Sequence, residues 1–237
     1  MIDNVHEFLV GIVIGIRFRA NFSIEDQLGY IVDRILYSKD SYFNPTMFPK
    51  VLGRVTEKIL INEKTENSLT INNSNILLEI NLEQKGNLKY LDQIYENFDK
   101  QIINGIMNHY KITQINRLGF VSRYLFDKPE LAANFLDKTI GKTLEGVNDI
   151  NLRFSKKYPA EEALAKKEIN DHHNVIFNVI KKADLKELFI SMDFQRYYDP
   201  FLDSAPQLRF QSFIETMQSY NYKEFPHWLN HNFGNSK

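Results

Sequence analysis

Cysteine is absent from the 237 residues. That excludes disulfides, thiol nucleophiles and cysteine-ligated zinc together, and it fits a reducing compartment, with the cytoplasm as the expected location. An excess of one charge is also lacking: Lys and Arg number 29 against 30 Asp and Glu, for a formal net charge of −1. No global electrostatic pull toward nucleic acid or an anionic membrane exists, so only a local patch could supply one. Long hydrophobic runs are missing as well. The most apolar stretch, Leu9 to Ile16, follows Asp3 and Glu7 and is closed by Arg17 and Arg19. It falls far short of the roughly 20 residues of a membrane span, and it has neither the basic start nor the small-residue cleavage site of a signal peptide. Gly-x-Ser-x-Gly and Gly-x-x-x-x-Gly-Lys motifs do not occur, which removes the nucleophile elbow and the phosphate loop.

What is present is a globular composition. Hydrophobic residues make up 43% and aromatic residues 13%, with 18 Phe and 12 Tyr, and such content favours an ordered, strand-containing fold. Leu9–Arg19 alternates: Ile12, Ile14, Ile16 and Phe18 share one face, and Val13, Gly15, Arg17 and Arg19 the other. Period two with β-branched residues predicts a strand with one wet face. Gly11 and Gly15 fall inside it, where glycine marks a bulge or a close approach rather than a dinucleotide turn. Ser23 reads as an N-cap for a helix carrying Leu28, Ile31, Val32, Ile35 and Leu36. After a loop at Asn44-Pro45 and Phe48-Pro49, strands are predicted at Val51–Ile61, Ser68–Asn72 and Ile76–Leu82. A break at Gly86-Asn87 then leads into an amphipathic helix through Leu91, Ile94, Tyr95, Phe98, Ile102 and Ile106.

The pattern then begins again. Gln114–Phe126 alternates, with Leu118, Phe120, Tyr124 and Phe126 opposite Arg117, Gly119, Val121 and Arg123. Pro129 at a first helical position predicts a helix to Lys138, and Gly141 and Gly146 bracket a turn. Strands follow at Val147–Lys156, Asn174–Lys181 and Leu188–Tyr197, with a short helix at Ala160–Ala165 between the first two. Asp199-Pro200 and Ala205-Pro206 form a loop, a final helix carries Phe210, Phe213, Ile214, Met217 and Tyr220, and an aromatic tail runs from Phe225 to Phe233. The expectation is an α+β fold of two similar strand–helix–three-strand–helix halves, residues 1–110 and 111–237. Joined as one compact unit, they would form an antiparallel sheet covered by helices on one face. Identity between the halves is slight, so the internal duplication is inferred from element order.

Several residue sets bear on chemistry. Arg17, Arg19, Arg117, Arg123 and Arg153 fall on the predicted polar side of strands, where guanidinium groups can grip carboxylates or phosphates bidentately or pair with Glu79 and Glu83 across the sheet. Tyr197 and Tyr198 open an aromatic stretch suited to recognition, although packing on a helix would use them as well. Asp171-His172-His173, with Asp193 or Asp199, could supply metal ligands or an acid–base pair. Adjacent residues of an extended chain point to opposite faces, however, which separates the two histidines. His227 and His231 stand four apart, as in zinc helices, but Trp228 stands where the catalytic glutamate would be.

Three segments carry a likeness to a family: Ile16-Arg17-Phe18 closing the first strand, Leu118-Gly119-Phe120-Val121-Ser122-Arg123-Tyr124 in the middle, and Met192-Asp193-Phe194 before an aromatic-rich helix. With these the chain resembles a sporadically distributed family of uncharacterised bacterial proteins of about this size. The resemblance brings no activity with it, and the patchy distribution implies accessory roles such as defence. The expected function is a non-enzymatic protein-binding module or accessory subunit, with Arg17, Arg19, Arg117, Arg123, Arg153, Tyr197 and Tyr198 as the binding set. One alternative is a nucleic-acid or nucleotide binder using the arginine face; another is a metal-dependent hydrolase built on His172 and His173. Another protein is the expected partner, a second copy of the chain is also open, and neither a membrane nor a cofactor is expected.

Overall fold

The computed structural model describes residues 2, 4–39, 41–82, 87–139, 149–161, 170–181 and 187–233. Nine strands form one antiparallel sheet: β1 (Leu9–Phe18), β2 (Lys50–Arg54), β3 (Glu57–Asn62), β4 (Asn67–Asn72), β5 (Asn75–Asn81), β6 (Ile115–Phe126), β7 (Ile150–Pro159), β8 (His172–Lys181) and β9 (Leu188–Leu202). Their spatial order is β2-β3-β4-β5-β1-β6-β9-β8-β7. Both halves of the chain therefore start at the centre, cross by a helix to an edge, and meander back to the centre. The α+β class and the antiparallel sheet are as the alternation predicts.

Helical segments follow the apolar spacing. They are α1 (Phe22–Tyr37), α2 (Leu88–Asn97) with a π-helical continuation over Phe98–Met107, α3 (Pro129–Thr139), α4 (Phe210–Ser219), a π-helical turn at Tyr220–Glu224, and α5 (Phe225–Phe233). Their buried residues merge with alternate residues of the strands into one core containing Ile12, Ile14, Ile16, Leu78, Phe120, Tyr124, Phe194, Phe98 and Phe225. Val13 is buried too but lies outside that core, as its place on the opposite face of β1 requires. No helix among the described residues is long and apolar enough to cross a membrane.

The structure corrects several expectations. Asn21, not Ser23, caps α1: its side chain accepts from the Ser23 N–H at 3.1 Å. The single strand expected over Val51–Ile61 is the hairpin β2–β3, in register from Lys50↔Ile61 to Arg54↔Glu57. Gly53 there has φ 127°, and a Cβ would stand 2.2 Å from the Glu57 carbonyl oxygen. The first half thus has four meander strands where three were expected. The loop expected at Asp199-Pro200 is a bulge within β9. Pairing with β6 jumps from Arg117↔Tyr197 to Ile115↔Leu202, and a bulge is where a sheet accepts a proline that has no N–H to donate. The aromatic tail is α5, with Phe225 and Leu229 fully buried. Gly86, the Gly141–Gly146 turn, Val147 and most of the Ala160–Ala165 helix lie outside the described residues, as does Glu83.

Near the N-terminus, a short 3-10 turn (Val5–Phe8) places His6 against a cavity of about 90 Å³ shared with Asp92, Tyr95, Ser122 and Asn221. The His6 ring lies 4.1 Å from that of Tyr222. Burial lowers its pKa to about 4, because a desolvated imidazole resists protonation.

Candidate functional site

The side of the sheet away from the helices is built by strand alternation. Register aligns its side chains in rows across the strands. One row runs Asn75, Arg17, Arg117, Tyr197, His172 and Pro159 over six strands. Within it the Arg117 guanidinium carbon stands 5.9 Å from the centre of the Tyr197 ring, a cation–π approach. On its other side, Tyr197 carries the stacked ring of His172, with centroids 4.9 Å apart and planes 6° from parallel. The next row is nearly bare at its centre, where Gly15 faces Gly119. Beyond it lie Glu79, Val13, Val121 and Asp193, then Asn81, Gly11, Arg123, Ser191, Asn178 and Arg153.

The electrostatics of this open face are organised around two carboxylates. Arg123 bridges diagonally to Glu79 over Gly11, where a Cβ would come within 3.0 Å of the Ile80 carbonyl oxygen. Asp193 accepts from Gln195 and feels the positive charges of Arg117 and Arg153. Burial nevertheless raises its pKa, the hydrogen bond and the two arginines only partly opposing that shift. With Lys50, Arg54 and Glu57 of β2 and β3, and Lys157 of β7, the strands of this face carry, among the described residues, seven cationic side chains against three carboxylates, and a fourth carboxylate, Glu63 just after β3, pairs with Lys50 at 2.5 Å. A chain of net charge −1 thus concentrates positive charge on one surface.

No protein-family model and no curated protein matches the chain. The functional reading therefore rests on geometry.

Four of the five expected arginines, Arg17, Arg117, Arg123 and Arg153, share the open face. Arg19 sits just beyond the end of β1 and donates to the Gln114 side chain at 3.1 Å. Tyr197 joins the four, but Tyr198 does not. The two tyrosines belong to β9 rather than to a loop, so alternation turns Tyr198 to the helix side, where it is 6% exposed and its hydroxyl donates to the Leu208 carbonyl at 3.3 Å. His172 and His173 are parted in the same way: His172 stacks on Tyr197, while His173 is buried among the helices. The structure does not bring them to one ion. His227 and His231 do align on an exposed face of α5, with rings 6.3 Å apart.

The helix side holds a feature that the sequence did not point to. A cleft of about 500 Å³ opens between β7, β8, the β9 bulge and the start of α4. Its interior contains a buried ion pair, with Arg196 Nη2 donating to Asp171 Oδ2 at 2.8 Å. The second Asp171 oxygen accepts from the Asp199 N–H at 2.8 Å, so the bulge itself holds the carboxylate. Arg196 Nη1 lies 3.2 Å from His173 Nε2. A guanidinium only donates, so that nitrogen accepts and the neutral ring carries its proton on Nδ1. These groups come from separate stretches of chain with no common spacing. The one sequence cue was the Asp171-His172-His173 cluster, of which alternation sends every second member inward.

Proposed function

We propose that the chain is a non-enzymatic binding module whose open sheet face docks a protein partner rich in carboxylates. One observation carries this reading: among the described residues, the open face of a nine-stranded sheet gathers seven cations against four carboxylates, counting Glu63 that pairs with Lys50. Charge complementarity then selects an acidic partner and steers its approach. Apolar contact is available beside the charges at Leu77, which is 39% exposed opposite Gly15, and protein interfaces combine such patches with a polar rim.

A protein is favoured over nucleic acid because the arginines are already interleaved with acids. Glu79 pairs with Arg123, and Asp193 sits between Arg117 and Arg153. A phosphate backbone would be repelled by both carboxylates, whereas a protein can meet each with a donor of its own.

The test compares three baits in the native host: wild type, Arg17→Glu with Arg117→Glu, and Arg209→Ala on the helix side. One protein should be retained by the first and third and lost from the second, with cross-links mapping to β1, β6 and β9. Retention by all three baits would refute the docking face. Retained material that disappears on nuclease treatment, with steep loss on raising salt, would replace the protein reading with the nucleic-acid one.

A further inference from the structure

The cleft on the helix side is lined with three charged or ionisable residues that are buried, Arg196, Asp171 and His173, at 8%, 7% and 7% residue exposure, and the Arg196 and Asp171 side chains are each 10% exposed. Burying such groups costs stability, and an ion pair of this kind is often no more stabilising than apolar residues of the same volume. Here the cost is accepted beside open space rather than within a packed core. The volume of about 500 Å³ lies in the range of small-molecule sites, whose usual plan is apolar walls with a few convergent polar groups.

The walls follow that plan. Tyr158 stacks on His173 at 5.2 Å, and the Arg196 guanidinium lies over Tyr198 at 5.5 Å. Phe213 and Leu208, both buried, close the remaining side. The polar groups favour an anion. Both oxygens of Asp171 are engaged, one by Arg196 and one by the Asp199 N–H, so its negative charge is satisfied within the protein. The exposed rim carries Arg209 and Ser212 at the first turn of α4, a turn with no acidic residue and no side-chain cap. Its dipole adds to the charge of Arg209, while Arg196 is matched in charge by Asp171 and offers donors rather than a net charge. Among the described residues, Glu161 is the one further carboxylate on the rim, and it is solvent-exposed and therefore screened.

We propose that this cleft is a binding site for a small aromatic anion, a carboxylate or a phosphate monoester. The anionic group meets the Arg196 side and the start of α4, and the ring lies between Tyr158, Tyr198 and Phe213. The site is separate from the docking face and stands whether or not that face has a partner.

Calorimetric titration of the full chain with phenyl phosphate, phenylacetate and neutral benzyl alcohol tests it. At least one anion should saturate a single site, and benzyl alcohol should bind at least about tenfold more weakly. Ser212→Asp places a carboxylate at the rim in a first-turn position that favours the helix, so the variant keeps its fold while anion affinity drops by about tenfold or more. Ser212→Ala, which adds no charge, keeps affinity within about twofold. Failure of both anions to saturate below about 10 mM, or equal affinity of wild type and Ser212→Asp, would overturn the proposal.

Discussion

The two faces of the sheet use the same strands and opposite chemistry. On the helix side, charge is rare and mostly buried: Lys181 is buried on β8, and in one cleft Arg196 holds Asp171 and His173 at hydrogen-bonding distance. On the open side, charge is spread over rows, and its ion pairs are loosely held: the Arg123 and Glu79 side chains are 32% and 30% exposed. The difference teaches that an ion pair's worth depends on what surrounds it. Water competes for the open pairs and screens them, whereas the buried pair cannot lose one member without stranding the other.

Mutation should separate the faces by size of effect. Phe120, at 1% exposure on the helix side of β6, should cost about 3–5 kcal/mol when cut to alanine. Arg17→Ala on the exposed side should stay within about 0.5 kcal/mol. Urea denaturation read by circular dichroism gives both values, and equal costs would end the contrast. The ion pairs offer a sharper version. Arg196→Ala leaves Asp171 buried and uncompensated, for a loss of about 3 kcal/mol, while Arg123→Ala should lose only about 0.2–1 kcal/mol.

Acid should act from the helix side first. The pKa of His6 is lowered by burial from 6.5 to about 4 in the folded chain, so the unfolded chain takes up the proton more readily. The stability this group contributes is complete above about pH 6.5 and is lost as pH falls toward about 4. Melting curves across that window should show the loss, and His6→Phe should flatten it. The smallest effect belongs to Asp193 on the open face, whose pKa is raised by burial despite Arg117 and Arg153. Its folded form holds the proton longer than the unfolded chain does, so stability declines as pH rises from the ordinary carboxylate range to the raised value. Asp193→Asn should remove that decline, visible as a larger rise in urea midpoint between about pH 4 and about pH 7, where His6 pulls the other way.

Much of this contrast was legible in the sequence wherever alternation ran unbroken. Ile12, Ile14 and Ile16 against Gly15 and Arg17, and Phe120 and Tyr124 against Arg117 and Arg123, fixed both faces before any contact was known. It failed where local signals were weak. Val51–Ile61 is rich in strand formers, and its turn lacks an Asn-Gly or Asp-Gly pair, so the hairpin was read as one strand. Pro200 ordinarily ends a strand, yet β9 accommodates it in a bulge and continues to Leu202. The cleft was illegible for a different reason: Tyr158, Asp171, Arg196 and Arg209 meet only through tertiary packing.

The edge strands decide how the sheet can be approached. It ends in β2 on one side and β7 on the other, and each presents backbone donors and acceptors that another strand could extend. Both rims are defended by like charge, Lys50 and Arg54 on β2 and Arg153, Lys156 and Lys157 on β7. Two molecules meeting rim to rim would set cation against cation, a repulsion that opposes edge-to-edge growth of the sheet. On the docking reading proposed above, a partner would meet the sheet broadside rather than at a rim.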